Sequence, residues 1–497
     1  MNSSSLYSPP QKVVYTTTCF IPKGDVVEKM IVEDVESTEK NNNQEPKDHT
    51  LITEKVNKEI KLKKTTTQYQ EDRKRIEQEE AQRFIDQGYK PKDGNNPLIY
   101  SRVLGLGPYS FITFDYKYRP SSPPPTYFSD KELNELSITT KSENLKGFII
   151  PKEGGLVCVD KDILRKQSGI IATMIGQLIS TMCLSKISMP VRIFEARTTL
   201  ERIADLWRCA PIYLSEAART VDKVERMKKV ITFSVSTIYT SMKQLKPFNP
   251  LIGETLEARL ADGTEIFLEH TSHHPPISNF FVTGPNGSYK MYGHHEYQGR
   301  VTTNGLENEQ CGPNIIEFKD GSKIEYNYPK FKIHGLLMGD RTVYASGEMI
   351  FEDKENELKA VLVFNYGKKR GIFSSRKKGT KIDDVEGVIY RVKPDINIKD
   401  HTKVKDLKDI EEKLCSITGS WLGSLKFDNK TYWNIDEVEL PALNFKKDPL
   451  PTDWRYREDL IWLRRGDIKI AQEWKLRLEI EQRRDRGVRE KYKPNKK

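Results

Sequence analysis

The sequence predicts a mainly β protein with flanking helices, its strands forming one large, near-complete antiparallel barrel. Three observations carry this. After Pro250 apolar and polar residues alternate with a period of two, the spacing of a strand with one buried face. Asp262-Gly263, Pro285-Asn286-Gly287 and Asp320-Gly321 each separate two such runs and read as hairpin turns. Many short strands follow one another directly, without the crossover helices of a parallel sheet, so a closing meander is expected.

Residues 1–95 supply little core material. Asn41-Asn42-Asn43-Gln44 and the Lys/Glu-rich stretch after it have the composition of a disordered segment, and 73–87 reads as a charged helix with few apolar anchors. Residues 96–160 are poorly defined: 98–118 suggests a few strands and Ser121-Ser122-Pro123-Pro124-Pro125 a linker or turn. Gly105-Leu106-Gly107 lacks the third glycine and the Lys-Ser/Thr of a phosphate loop. One domain is placed over 161–490. Within it 170–182 is apolar, with Ser, Thr and Gly where charges would stand, and too short to span a bilayer. Its own pattern reads as a buried helix.

Residues 198–217 and 221–238 repeat apolar positions at spacings of three and four and are expected as helices. Residues 315–328 alternate on both sides of Asp320-Gly321, and 344–364 supply two more strands joined by a charged turn. Residues 454–486 return to a strongly charged helix.

The chain has 497 residues, 36% hydrophobic and 31% charged, which suits a globular part with a sizeable solvated remainder. A net charge of +10 favours acidic partners, an anionic membrane or a nucleic acid. The positive charge is dispersed and no recognised nucleic-acid module is evident, so nucleic acid is not expected. Cys19, Cys158, Cys183, Cys209, Cys311 and Cys415 have no close spacing, which predicts neither a zinc site nor a disulfide framework and points to the cytosol. Met1-Asn2-Ser3-Ser4-Ser5 lacks the pattern of a signal peptide, and no run of about 18 apolar residues exists. Any contact with a membrane is expected to be peripheral and reversible.

Three motifs carry the chemistry. The first is Glu269-His270-Thr271-Ser272-His273-His274-Pro275-Pro276, which follows the strand-like run 264–268. Two imidazoles beside two prolines sit on a stiffened backbone and offer ring nitrogens to an oxygen-rich ligand. The second is Lys246-Pro247-Phe248-Asn249-Pro250-Leu251-Ile252-Gly253-Glu254-Thr255, whose prolines hold Asn249 extended; by itself it is also a rigid connector from helix to barrel. The third is Leu450-Pro451-Thr452-Asp453-Trp454-Arg455-Tyr456-Arg457-Glu458-Asp459-Leu460, followed by Lys475, Glu479 and Arg483, four residues apart and so on one helical stripe. Such a stripe alone is most often a solvated, salt-bridged face.

Together, and in this order, the motifs resemble those of the oxysterol-binding protein family of lipid carriers. The first is similar to the family's Glu-Gln-Val-Ser-His-His-Pro-Pro, departing at His270 and Thr271. The second departs from the family run only at Ile252. The resemblance covers roughly 184–486. It implies a barrel enclosing a lipid tunnel, C-terminal helices and an N-terminal lid over about 168–184, with Ile171, Met174, Ile175 and Leu178 on its apolar side. It also implies a phosphoinositide headgroup site built from Lys246, Asn249, His273, His274, Lys475, Glu479 and Arg483. Phosphate takes strong charged hydrogen bonds from Lys and Arg. Glu479 would repel phosphate, so its role would be to orient Lys475 and Arg483 or to meet an inositol hydroxyl.

The implied activity is non-vesicular transfer, without cofactor or catalysis, of a sterol and phosphatidylinositol 4-phosphate exchanged in one cavity, with transient contact to anionic membranes. Phosphatidylserine in place of sterol, and a sensor that binds without carrying, remain open, as do protein partners. No pleckstrin-homology domain is expected ahead of the barrel, since Trp207 is the first tryptophan. A metal hydrolase using His270, His273 and His274 is disfavoured, because neighbouring residues of an extended segment point to opposite sides and no carboxylate-rich partner pattern appears. The basic run 368–378, with Ile372 and Phe373 at its centre, is either a solvated loop or a contact with anionic lipid.

Overall fold

The runs that alternate on either side of Asp262-Gly263, Pro285-Asn286-Gly287 and Asp320-Gly321, and the two runs within 344–364, are strands. The computed structural model describes residues 128–137, 140–165, 167, 189–365, 379–393, 410–447, 449–450 and 452–491. The expectations for 1–95 and 98–118, the lid residues Ile171, Met174, Ile175 and Leu178, and the basic run 368–378 lie outside these.

Two short helices, α1 (Asp130–Ser137) and α2 (Lys141–Leu145), precede the hairpin β1 (Phe148–Ile149) and β2 (Leu156–Cys158). Then come β3 (Phe194–Thr198), α3 (Thr199–Asp205), α4 (Ala210–Arg219), α5 (Lys223–Ser236) and β4 (Lys246–Phe248). β3 and β4 form a small parallel ladder of their own. After it strand follows strand: β5 (Thr255–Arg259), β6 (Glu265–His273), β7 (Pro276–Thr283), β8 (Tyr289–Thr302), β9 (Gly305–Cys311), β10 (Asn314–Phe318), β11 (Lys323–Tyr326), β12 (Lys330–His334), β13 (Thr342–Asp353) and β14 (Leu358–Phe364). β15 (Asp384–Val392), β16 (Ile410–Ser420), β17 (Ser424–Phe427), β18 (Lys430–Asn434) and β19 (Asn444–Phe445) complete them, and α6 (Glu458–Arg464) and α7 (Ile468–Lys491) close the described chain.

Seventeen of these strands make one antiparallel sheet. β5 to β8 pair in sequence. The 14-residue β8 then takes two partners, β10 along its first half and β9 along its second. The β10–β11 and β9–β12 branches meet again on β13. From β13 the ladder runs through β14, β15, β16 and β17 to β18, while β19 pairs with β5 at the other edge. β18 and β19 are successive in the chain, and among the described residues no ladder joins them. The sheet is therefore a near-complete barrel with flanking helices.

One core cluster links the inner faces of the strands to α3, α4 and α5. Leu256, Leu268, Val282, Met291, Ile316 and Phe351 of the sheet, Trp207 of the turn between α3 and α4, and Leu214, Val230 and Phe233 of the helices are all fully buried in it. Each such side chain contributes about 1.5–3 kcal/mol over its exposed state. The described residues through Arg483 belong to one compact unit; of a second unit only 484–491 is described.

Two helix expectations are corrected. The run 198–217 breaks at 206–209, because Pro211 opens α4 and its ring would clash with the carbonyl four residues back if the helix ran through. The run 454–486 divides into a 3-10 turn (Trp454–Tyr456), α6 and α7. Gly466, at φ 86°, provides the left-handed residue that ends α6.

A candidate anion-binding site at the end of the sheet

The parallel ladder sets the first part of the site. It pairs Phe194 of β3 with Lys246 of β4, which brings the Lys246 ammonium 5.1 Å from the centre of the Phe194 ring. The ammonium of Lys475, from α7, lies 5.3 Å from the same ring. Each cation is attracted to the ring face, and the two repel one another. Burial, then Lys475 and Arg457, push the Lys246 ammonium down to about 7, against the pull of Glu479 and Glu195. Lys246 Nζ also donates to Pro247 O (3.1 Å) and to Asn249 Oδ1.

α7 is seated by Leu478, which packs on Leu251, and by Gln472 Oε1, which accepts from Val191 N at 2.7 Å. Its stripe then falls in place: Lys475 donates to Glu479, and Arg483 Nη1 lies 3.7 Å from Glu479 Oε2. Lys475 is buried, whereas the Arg483 side chain is 60% exposed.

Arg457 fastens the loop that carries Asn249. Its Nη1 donates to Asn249 O (2.7 Å) and Glu254 Oε2 (3.1 Å), while Nε and Nη2 fork onto Asp459 at 2.9 Å each. Its guanidinium also lies 5.0 Å from the Phe248 ring. These carboxylates hold Arg457 firmly in its charged form. Glu254 Oε2 accepts from Leu251 N at 2.9 Å, and burial pushes its carboxyl up. Backbone bonds Gly253 N to His270 O (2.8 Å) and His270 N to Glu254 O (2.9 Å) tie this loop to β6.

On β6 alternation turns Ile266, Leu268 and His270 inward, and all three are buried. A register shift between His270 and Ser272 interrupts the alternation, and the His274–Pro275 peptide is cis. The His273 and His274 rings lie edge to face, 4.9 Å between centres. This corrects the expectation that they point to opposite sides: His274 stands in the turn rather than in extended strand. His270 Nε2 is 3.3 Å from His273 Nδ1, and His270 Nδ1 is 3.0 Å from Ser278 Oγ. Burial, then His273 and Arg457, hold His270 well below the usual histidine range. Among the described residues no group of three or more His, Cys, Asp and Glu side chains is placed to hold a metal ion.

Lys246, Asn249, Lys475, Glu479 and Arg483 therefore form one continuous cluster. His273 and His274 join it through His270 and the loop 249–254. Sequence reasoning passed over Phe194, Glu254 and Arg457 as site residues. Arg457 stood within a quoted motif, but nothing in the sequence separated it from Arg455; Phe194 gave no signal at all.

The fold and site together define a mainly β protein, a near-complete antiparallel barrel with helical flanks, that gathers cationic side chains into one cluster. Residues 171–497 match the family model described as Oxysterol-binding protein, and the chain belongs to that family. Oxysterol-binding protein 9 of Dictyostelium discoideum is 37% identical over 347 residues, 67% of this chain and 78% of that protein. Oxysterol-binding protein-related protein 3B of Arabidopsis thaliana is 26% identical over 345 residues, 64% of this chain and 69% of that protein. The fold is similar to that of the Osh3 ORD of Saccharomyces cerevisiae, solved in complex with PI(4)P, with a TM-score of 0.50 and 23% identity over 64% of this chain and 84% of that one. Among the described residues no helix is long and apolar enough to cross a membrane.

Proposed function

We propose that this protein binds lipids and carries them between membranes, holding a sterol or phosphatidylinositol 4-phosphate in the same interior, one at a time. The observation that carries the reading is the pair of ammonium groups, Lys246 and Lys475, on the single Phe194 ring. Lys475 disfavours the charged form of Lys246, and a phosphate beside the two would relieve that repulsion while accepting from several donors at once. Asn249, His273, His274 and Arg483 would add donors, and Glu479 would orient its two basic neighbours. The family's sterol-type ligand has no phosphate and would leave this cluster unused, so the two ligands would compete only for the apolar interior. Exchange then follows, because occupancy by one excludes the other. The protein would act from the cytosol, reversibly at organelle membranes, and would catalyse no reaction.

Phosphatidylserine could replace sterol without change at the cluster. Mass spectrometry of the lipids that co-purify with the chain separates the two. Extraction of phosphatidylinositol 4-phosphate from vesicles tests the site: His273→Ala with His274→Ala should lose it while keeping the apolar ligand. Normal extraction by that double variant would remove the histidines from the site.

A further inference from the structure

Ten large apolar side chains stand exposed among the described residues, and six of them belong to one rim of the sheet: Ile149, Ile150, Val159, Val301, Leu337 and Met338. The register shows why these six are neighbours. β6 runs up to the His273–His274 turn, β7 returns, and β8 runs towards the same end. Ile277 at the start of β7 pairs with Glu296, and β8 continues to Thr302, about 20 Å further at the rise of a strand. At that level one row of pairs crosses six strands: Thr302 with Gly305, Gly305 with His334, His334 with Thr342, Thr342 with Val157 and Val157 with Ile149. Each exposed apolar residue lies on this row or within four residues of it. The rim therefore stands at the end of the sheet that carries the histidine turn, and beyond it.

Its tip is built rather than loose. Asn304, in the β8–β9 turn, clamps the β12–β13 turn: Oδ1 accepts from Leu337 N (2.8 Å) and Met338 N (3.1 Å), and Nδ2 donates to Met338 O (2.8 Å). The Asn304 carbonyl accepts from Gly335 N (2.9 Å) and Leu336 N (3.2 Å). These bonds hold Leu337 55% and Met338 76% exposed, an arrangement the apolar effect opposes in water.

We propose that this rim, led by Leu337 and Met338, is the face that enters the surface of a lipid bilayer when the protein loads and unloads. The inference rests on the lipid-carrier reading and adds the docking surface to it. A bilayer is favoured over a protein partner because the apolar side chains stand at spaced points, on or beside β1, β2 and β8 and in the β12–β13 turn, along a row that crosses six strands. Exposed Arg300, Thr302, Thr303 and His334 lie between them. A stable protein interface needs about 1,200 Å² of matched, continuous surface. A fluid interface accepts spaced apolar points and also gives polar neighbours a headgroup layer to bond. The rim stands at the same end of the sheet as the histidine turn, about 20 Å beyond it, so a bilayer met by the rim lies on the side towards which that turn faces.

The test compares the full chain with its Leu337→Ser, Met338→Ser double variant in co-sedimentation with phosphatidylcholine–phosphatidylserine vesicles. Both positions are exposed, so the fold should hold, and thermal unfolding checks this. The double variant should bind vesicles on the order of tenfold more weakly, as expected from two lost apolar contacts. Asn304→Ala, which keeps both side chains but frees the turn, should fall between the two. Titration with the water-soluble headgroup of phosphatidylinositol 4-phosphate should be the same for all three. Equal vesicle binding by wild type and double variant would overturn the assignment. So would a wild-type chain that self-associates in sedimentation velocity where the double variant does not, since a second copy would then cover the rim. Absence of headgroup binding in every form would count against the carrier reading, and the vesicle comparison would still decide the rim.

Discussion

His270 Nε2 faces His273 Nδ1 at 3.3 Å, and the opposite ring nitrogen of His270 faces the Ser278 hydroxyl at 3.0 Å. His270 is 1% exposed and stays neutral, so it carries one proton for two partners. If Ser278 donates to Nδ1, His270 donates from Nε2 and leaves the proton of a neutral His273 on its Nε2. If His270 donates to Ser278, it accepts from His273 instead. The buried ring thus decides which nitrogen of His273 holds the proton. The family run has Gln at this position, which can also donate or accept.

His270→Leu removes that control. We predict about tenfold weaker headgroup binding at pH 8, equivalent to the loss of roughly one hydrogen bond. His270→Gln should restore most of the affinity, because the amide can also donate or accept. Nitrogen NMR of His273 would read the tautomer directly. A loss that Gln does not relieve would mean that His270 only fills space.

Lys246 makes binding of an anion pH-dependent. With its ammonium pushed down to about 7, Lys246 is mostly neutral at pH 8 in the ligand-free protein. A phosphate beside it favours the charged form and raises its affinity for protons. Binding at pH 8 should therefore take up about one proton, and binding at pH 5.5 almost none. Titration calorimetry in buffers of different ionisation enthalpy measures this, and Lys246→Met should abolish the uptake. Uptake that persists in the variant would assign the proton elsewhere.

Acid sensitivity of the fold should trace to His295 on β8. It is fully buried among Trp207, Phe280 and Tyr328, with Nε2 2.9 Å from Asn314 Oδ1. Burial, and to a smaller degree His294, lower it to about 4 despite the Asn314 bond. A depressed folded value means that the unfolded chain binds more protons, so stability falls as the pH drops from about 6.5 towards 4. The loss from this residue is about 3 kcal/mol. In denaturant titrations, wild type should lose that much more than His295→Gln between pH 7 and pH 4. Parallel losses would contradict it.

Arg457 is expected to hold the fold as well as the site. Arg457→Met would leave Glu254 and Asp459 buried without their cation and should cost about 3–5 kcal/mol of stability. Arg457→Lys should recover only part, because one ammonium cannot fork onto Asp459 and reach Glu254 and the Asn249 carbonyl together. A Lys variant as stable as wild type would show that charge alone suffices there.

Much of the fold was legible because its signals are local. Asp320-Gly321 turns between β10 and β11, and the charged turn after Asp353 joins β13 to β14. Branching at β8 was not legible, since alternation shows which residues face inward but not which strand lies alongside. The cation cluster was legible through its motifs, yet Phe194, on which both lysines rest, was not. Its role comes from a parallel ladder between segments 52 residues apart (246 minus 194), and no local pattern encodes such a pairing. His270 occupies an inward position by the same alternation that buries Ile266 and Leu268.

The most direct test of one interior serving two ligands is displacement. The chain is loaded with a fluorescent sterol and mixed with vesicles containing phosphatidylinositol 4-phosphate, and sterol release and phosphoinositide uptake are followed together. The account predicts that the two proceed mole for mole, and that His273→Ala with His274→Ala releases no sterol while still holding it. A chain that takes up the phosphoinositide and keeps its sterol would contradict the account, because the two lipids would then occupy separate sites.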